Sequence, residues 1–472
     1  MDPFEREALA RLPLAEAVLL LWGHVTDPDC LQAIFDTYRG PSYQKELSFA
    51  TIVHLIADAL LEHQGSGHRA MQRGLENSTL NASIRAAYGK LGRIPISLSN
   101  GLLLAGTKRL GQVLPAVRPL APESLRGFVR LAIDGKKIKH VMNRLKVTRG
   151  VKGSVLGGKT AVALDIDTGL AVAMNADPDG EVSDAPLMPE LLRQVRDSVV
   201  GTRLFVLDRQ FCDLVQPEQL TAEGDHFLIR YNAKVSFHPD AGTPARAGRD
   251  ERGRGFTERW GWLGAATQKR RRYVRLISLS RPGEEDVILI TDLLDADTYP
   301  AVDLLATYLA RWGIEAAFRK ITEVFHLRDL ISSSPEGTIF QFAFCVLLYN
   351  MTEVLRGYVS QAASVPVTEV SMENLFDDVH RQMVAWTELV GPEVTAEQFE
   401  AAPSAEGVRG RLKELLAGQW KTRWKKAAAK KVQPPPERVG SPGGHTSVQR
   451  LRIQAKQQGK ITPAIETAKP DA

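Results

Sequence analysis

A tyrosine, an arginine and a glutamate recur at helical spacing in one short segment of the sequence. They are Tyr308, Arg311 and Glu315. At 3.6 residues per turn, their side chains fall within roughly a 60° sector of a helix. The neighbouring stripe is apolar and consists of Leu305, Leu309, Trp312 and Ala316. We therefore expect one face of this helix to pack and the other to present functional groups.

The paired charges of Arg311 and Glu315 suit a phosphodiester substrate. A carboxylate can hold a divalent cation, and a guanidinium group can bind two phosphate oxygens at once. A solvated helix surface with weak ion pairing between residues four apart gives the same pattern. These two residues by themselves leave both interpretations open.

Two aspartates each end a short apolar run upstream. Asp134 closes the run 128–133 and precedes Gly135, and Asp208 closes the run 203–207. Such runs predict buried strands that deliver their last side chain to a sheet edge. A turn or helix N-cap aspartate is the alternative at each position. Two strand-end carboxylates and one on a helix are the ligands of a two-metal phosphoryl-transfer site, with metals about 3.5–4 Å apart.

With these residues, the chain resembles the DDE transposases of bacterial insertion sequences. The resemblance is to insertion-sequence family four, whose third acid lies in a Tyr-x2-Arg-x3-Glu-x6-Lys signature. Tyr308, Arg311 and Glu315 match that signature, and Asp134 and Asp208 match the first two acids. The resemblance covers roughly residues 125–355.

The last signature position departs from the family, because Thr322 stands where the lysine is expected. Arg319 lies one turn after Glu315 on nearly the same face, whereas Lys320 is rotated away. Arg319 is therefore our candidate for the missing cationic contact to phosphate.

The resemblance implies an enzyme that cleaves DNA at transposon ends and transfers the strand into target DNA. Asp134, Asp208 and Glu315 would bind two Mg²⁺ or Mn²⁺ ions. Arg311 and Tyr308 would position phosphate.

Arg209 and Arg319 are expected to give electrostatic support. The implied partners are double-stranded DNA, both as terminal inverted repeats and as target, and a second copy of the chain in a dimeric synapse. Two alternatives stay open: a catalytically degenerate DNA-binding regulator, which Thr322 favours, and a two-metal nuclease without strand transfer.

The predicted fold class is α/β. The resemblance implies a ribonuclease H-like catalytic core at 126–355, interrupted by a β-rich insertion at 232–300. Residues 1–125 are expected to form a helical N-terminal domain that binds DNA, with a structural cap on the core as the alternative. Residues 356–431 are predicted to be helical. Asp165 and Asp167 are interpreted as turn acids of a hairpin.

The insertion contains two tryptophans, Trp260 and Trp262. The resemblance implies that an aromatic side chain here stacks on a base that flips out as a DNA hairpin forms, and these two are the candidates. Such stacking is worth about 1–3 kcal/mol per base. Ordinary strand packing is the alternative for each.

Charge is concentrated near the carboxyl end. Residues 409–460 carry 14 Lys and Arg against Glu414 and Glu437, a net charge of +12, whereas the whole chain is +5. This predicts DNA contact for 409–431, where Trp420 and Trp424 could stack or anchor a helix. Residues 432–472 are predicted to be a flexible basic tail.

Composition indicates a globular protein, with 44% hydrophobic and 24% charged residues. We find no apolar stretch of membrane-spanning length and no basic start of a secretory signal, which predicts a cytoplasmic, nucleoid-associated protein with no membrane partner. Three widely separated cysteines suggest neither a disulfide framework nor a zinc site.

Overall fold

The computed structural model of the chain describes residues 7, 10–63, 65–116, 121–139, 146–148, 150–151, 155–325, 327, 330–389, 404–426 and 445–458. Across these ranges, helices pack on a single mixed sheet of eleven strands. The predicted α/β class is confirmed.

The described residues before the first strand are mostly helical, as predicted. Side chains that accept hydrogen bonds from the first turn begin several of these helices, for example Ser48, which accepts from the amide of Thr51. The helices are α1 (Pro13–Val25), α2 (Pro28–Tyr38), α3 (Phe49–Leu61), α4 (Gly67–Glu76), α5 (Ile84–Leu91) and α6 (Ile96–Val113).

The centre of the sheet has the strand order β3-β2-β1-β4-β5. These strands are β1 (Phe128–Lys139), β2 (Val155–Asp165), β3 (Ala171–Asp177), β4 (Thr202–Leu207) and β5 (His226–Arg230). The first three are antiparallel, whereas β4 and β5 run parallel to β1. Helices α7 (Met188–Ser198) and α8 (Gln216–Leu220) make the crossovers. The β2–β3 hairpin forms as predicted, and Asp165 accepts the amide hydrogen of Asp167 in its turn.

The region 232–300 is rich in strands, and they continue the same sheet. They are β6 (Phe237–Pro239), β7 (Arg246–Arg249), β8 (Gly255–Leu263), β9 (Arg272–Leu279) and β10 (Val287–Thr291). Strand β10 pairs antiparallel with β5, and β9, β8 and β6 follow outward. The segment therefore widens the central sheet instead of forming a separate body.

Helices dominate the rest of the described chain. They are α9 (Ala301–Ala310), α10 (Trp312–Glu323), α11 (Pro335–Ala363), α12 (Met372–Leu389) and α13 (Ala405–Leu416). The expectation of one continuous helix through Tyr308 and Glu315 is wrong, because α9 ends and α10 begins at Arg311. Trp312 is also not a packing residue, since it is 56% exposed at the start of α10.

Helix α11 is the centre of the larger core. Contrary to our reading of the sequence, it is long and apolar enough to cross a membrane by length and composition. Its most apolar stretch is buried inside the protein, which is how a core helix passes the same test. Among its contacts are α6, β2 and α10.

Two apolar cores lie on the two faces of the sheet. Alternate strand residues such as Ala132 and Val206 join the larger core with α11, and Ile133 and Leu207 join the smaller core with α7. Side chains of α1–α6 belong to the larger core too. The N-terminal helices thus share their core with the sheet and α11.

Part of the predicted flexible tail is ordered, which corrects that expectation for residues 446–457. Strand β11 (Thr446–Ser447) pairs with β2, and helix α14 (Val448–Gln457) follows. Arg450 binds Asp179 and Glu181 at 2.8 and 2.7 Å, and Val448 is fully buried. No local pattern predicts this order, because the partners of Arg450 lie 271 and 269 positions earlier. The rest of the predicted tail, 432–444 and 459–472, lies outside the described residues.

Candidate active site

Strand pairing places Asp134 beside Asp208. In the parallel ladder of β1 and β4, Ile133 is the partner of Leu207, and each aspartate is the next residue along its chain. Ile133 and Leu207 both face the smaller core. Because successive strand side chains alternate, both aspartates point to the opposite face, toward the larger core.

Helix α10 packs on that face and carries Glu315. Its buried side, which includes Ile314 and Phe318, joins the larger core, and the helix contacts β1. Arg311 Nη2 donates a hydrogen bond of 2.8 Å to Glu315 Oε1. Arg311 is 3% exposed, so the glutamate is held from beneath by a buried guanidinium group.

The electrostatics of Asp134 tie it to this helix. Burial raises the pKa of Asp134 to about 6. The amide of Gly135, which donates to Asp134 Oδ1 at 2.8 Å, and the charge of Arg311 lower that pKa, whereas the nearby carboxylates of Glu315 and Asp184 raise it further. Asp134 is therefore a partly desolvated acid in a cluster of like charges.

Arg311 also links Asp208 and Tyr308 to the group. Its guanidinium carbon lies 5.5 Å from the centre of the Tyr308 ring. Burial raises the pKa of Tyr308, and the negative charge of Asp208 raises it further, while Arg311 lowers it. Asp208 in turn accepts a 2.7 Å hydrogen bond from the amide of Arg209. The structure thus gathers the three predicted acids around one buried arginine.

A buried ion pair lies behind the sheet at the same end. Lys159 Nζ is 2.6 Å from Asp184 Oδ1. The Asp184 carboxylate is packed directly on Gly135, where an added Cβ would come within 1.8 Å of it. Sequence analysis missed both residues. The local pattern at Asp184 resembles an ordinary acid ahead of a helix, so only its spatial neighbours single it out.

The predicted phosphate contacts differ in their accessibility. Arg319 is exposed on α10. Arg209 is exposed as well, but its guanidinium lies 3.4 Å from Glu285. Tyr308 and Arg311 are almost completely buried, so they support the site from within instead of gripping a phosphate at its surface. Their predicted role as direct phosphate contacts is corrected accordingly.

The two tryptophans of the insertion have different environments. Trp260 is 7% exposed, and its Nε1 donates a 2.8 Å hydrogen bond to the carbonyl of Leu294. It is a packing residue, so the expectation that it could stack on a base is wrong. Trp262 is 36% exposed, with the Arg271 guanidinium 3.8 Å from its ring centre. One face of the Trp262 ring is thus covered by Arg271, while the side chain remains partly exposed.

The basic segment 409–426 is mainly engaged with the protein. Trp424 is fully buried, and its Nε1 donates to Asp378 at 2.8 Å, so it is an anchor and not a stacking residue. Arg423 and Lys421 also pair with Asp378. Arg411 binds Glu16 of α1.

The ligand chemistry of Asp134, Asp208 and Glu315 suits a divalent cation, and all three lie on the side of the sheet that faces the larger core. Their oxygens are the hard ligands that Mg²⁺ prefers. A cation would stabilise the charged form of Asp134, whose pKa is raised by burial and then by the neighbouring carboxylates. In the part of the chain that the structure describes, no three His, Cys, Asp or Glu side chains converge closely enough to enclose an ion. Glu315 instead points one oxygen at Arg311.

Comparisons with known proteins bear on the same region. Residues 126–351 match the family model described as a transposase DDE domain, and this range includes all three acids. No curated protein matches the chain. Among solved structures, the chain is similar to a piggyBac transposase in a cryo-EM structure of its synaptic complex with hairpin DNA. The two chains are 10% identical, with a TM-score of 0.41 over 87% of this chain and 88% of that one. A TM-score this low does not establish a shared fold.

Proposed function

We propose that this chain, a transposase with a DDE domain that cleaves and transfers DNA strands, does its chemistry with Asp134, Asp208 and Glu315. One observation carries the assignment. The two aspartates follow paired residues of adjacent parallel strands, on the face against which the helix of Glu315 packs. Residues far apart in the sequence thus lie on one face of the central strands inside the matched domain.

These three carboxylates would hold two divalent cations, Mg²⁺ or Mn²⁺. When bound, such ions activate the attacking oxygen and stabilise the leaving oxygen of a phosphodiester. Arg311 fixes the direction of Glu315 through their hydrogen bond and offsets the repulsion among the acids. Asp134 must lose its proton to act as a ligand, which its pKa of about 6 permits at neutral pH.

The reaction begins with attack of water on the phosphodiester at a transposon end. The released 3′-hydroxyl group then attacks a phosphodiester of the target. Exposed Arg319, Arg209 and Trp262 contact the DNA around the acids, Trp262 through its aromatic face. Tyr308 packs beside Arg311 and keeps it in place.

The finer classification is also part of the proposal. The strand order β3-β2-β1-β4-β5 supports a ribonuclease H-like core at 126–355, with residues 232–300 as its insertion. The Tyr308, Arg311 and Glu315 spacing supports insertion-sequence family four. Residues 1–125 bind the terminal inverted repeats, and two copies of the chain pair two ends in the cytoplasm at the nucleoid.

The test uses the purified full-length chain, Mg²⁺, labelled duplex bearing the inverted repeats that flank the gene, and a target plasmid. Joined products support transposition, whereas cleavage alone indicates a nuclease and a mobility shift alone a degenerate regulator. Asp134→Asn, Asp208→Asn and Glu315→Gln should each abolish cleavage while end binding persists. Asp197→Asn, a change at an exposed acid on α7, is the matched control. Retained cleavage in any of the first three variants rules out that residue.

A further inference from the structure

Lys136 is a cation on the catalytic face of β1. It lies two residues after Asp134, so strand alternation points both side chains to the same side of the sheet. Lys137, the next residue, points to the other face of the sheet. Its strand partner is Lys159, which forms the buried ion pair with Asp184 on that face. The side chains of these two adjacent lysines therefore lie on opposite faces of the sheet.

The side chain of Lys136 reaches helix α10. Its Nζ lies 5.8 Å from the ring centre of Phe318, which is one turn beyond Glu315. Another turn along, Thr322 carries no charge, and its hydroxyl donates to the carbonyl of Phe318. The ammonium group of Lys136 thus occupies the space between β1 and the part of α10 that follows the third acid.

This ammonium group lacks a close counter-ion. Within the described ranges, no carboxylate oxygen lies within 4.0 Å of it and no hydrogen bond from it is formed, although Asp134 and Glu323 are near enough to interact electrostatically. Lys136 is half-buried. A partly desolvated charge without a hydrogen-bonded partner is unfavourable in the free protein. An anionic ligand that pairs with this ammonium group removes that cost, and its binding is strengthened as a result.

We propose that Lys136 binds a backbone phosphate of the DNA strand lying over the three acids. The inference rests on the proposed function. It adds a DNA contact made by β1, the strand that carries Asp134. A phosphate oxygen gives the ammonium group the charge-assisted hydrogen bond it lacks, and the contact releases a counterion from the DNA. The ammonium group lies 5.8 Å from the centre of the Phe318 ring, which holds the charge next to helix α10.

The first experiment compares Lys136→Met with Lys137→Met in the full-length protein. Methionine keeps an unbranched side chain but removes the charge. Affinity for terminal-repeat duplex is measured without divalent cations over a series of NaCl concentrations. The slope of log K against log salt should fall by about 0.9 for Lys136→Met, the value of one phosphate contact, and stay unchanged for Lys137→Met. Lys136→Arg should restore the slope.

A second experiment locates the phosphate. Single neutral methylphosphonates are placed at successive positions around the cleavage point. A methylphosphonate at one of these positions should weaken DNA binding by the wild-type chain and by Lys137→Met. The same substitution should not change DNA binding by Lys136→Met, which is the coupling expected of a direct contact. With Mg²⁺, Lys136→Met should cleave roughly 10- to 100-fold more slowly, as expected for loss of a hydrogen bond to a charged group.

An unchanged salt slope in Lys136→Met, or an equal fall in both methionine variants, overturns the proposal. So does the lack of any methylphosphonate position whose effect depends on Lys136. Thermal melting of each variant identifies a loss of fold. Because the binding measurements need no cleavage, they remain decisive even if Asp134→Asn proves active and the proposed catalytic assignment fails.

Discussion

Arg311 Nη2 lies 2.8 Å from Glu315 Oε1, and the arginine that makes this contact is almost completely buried whereas the glutamate is partly open to solvent. The difference in burial gives the two residues different roles. The guanidinium group belongs to the protein interior and sets the position of a carboxylate that is partly open to solvent.

Replacing Arg311 should therefore impair chemistry more than DNA binding. We expect Arg311→Met to lower the cleavage rate by roughly 100-fold, because a misplaced catalytic group costs about that much. Arg311→Lys should recover only part of the rate, since an ammonium group lacks the planar fork. Rates come from single-turnover cleavage and affinities from titration of terminal-repeat duplex. Arg193→Met, at an exposed ion-paired arginine of α7, serves as control. A loss of affinity as large as the loss of rate would point to direct phosphate binding by Arg311.

The contact between Gly135 and Asp184 predicts a steric effect on stability. Gly135→Ala should lower the free energy of unfolding by about 1–3 kcal/mol, because the new methyl group meets a carboxylate fixed by Lys159. Gly127→Ala is the matched control, since a Cβ there meets nothing within 4 Å. Urea unfolding midpoints measure both. Equal midpoints for the two variants would show that Asp184 moves aside freely.

The raised pKa of Asp134 makes the stability of the metal-free protein depend on pH. In the folded state its pKa is about 6, above the value of about 3.9 expected when unfolded. Between those values, the folded protein retains a proton that the unfolded chain has lost, so stability falls as pH rises through this window. The loss is complete above pH 6 or so and amounts to about 3 kcal/mol at most, before allowance for residual solvent exposure.

Asp134→Asn removes this penalty. Its melting temperature should exceed that of the wild type at pH 8, and the difference should shrink toward pH 4. Mg²⁺ should raise the wild-type melting temperature at pH 8 and have less effect on the variant. Thermal melting across that pH range is the measurement, with Asp197→Asn as control. A constant difference at all pH values would contradict the assigned pKa.

The two tryptophans of β8 should respond in opposite ways. Trp260→Ala should destabilise the fold by about 3–5 kcal/mol, because the side chain is buried and hydrogen-bonded to Leu294. Trp262→Ala should change stability little but weaken the complex with a distorted DNA end by about 1–3 kcal/mol. Melting curves and the fluorescence of a base analogue at the DNA end separate these effects. Normal base-analogue fluorescence in Trp262→Ala would rule out stacking by this residue.

Local patterns in the sequence were enough to predict the strands and the helix that carry the three acids. An apolar run that ends in an acid predicted both strands, because strand alternation is a property of neighbouring residues. Asp208 directly follows β4 as expected, whereas β1 continues to Lys139, so the expectation that Asp134 ends its strand is wrong. Helical spacing likewise placed Glu315 on a helix. These features depend on residues only a few positions apart.

Other features depended on contacts between distant parts of the chain. Trp260 is buried, and its Nε1 donates a hydrogen bond to the distant carbonyl of Leu294. Residues 446–457 are ordered because Thr446 and Ser447 pair with strand β2. The same holds for the burial of Arg311, which turned a predicted phosphate contact into a support for Glu315. Sequence determined which side chains could do chemistry, whereas tertiary packing decided which of them remain accessible to a substrate, because burial is set by neighbours in space and not along the chain.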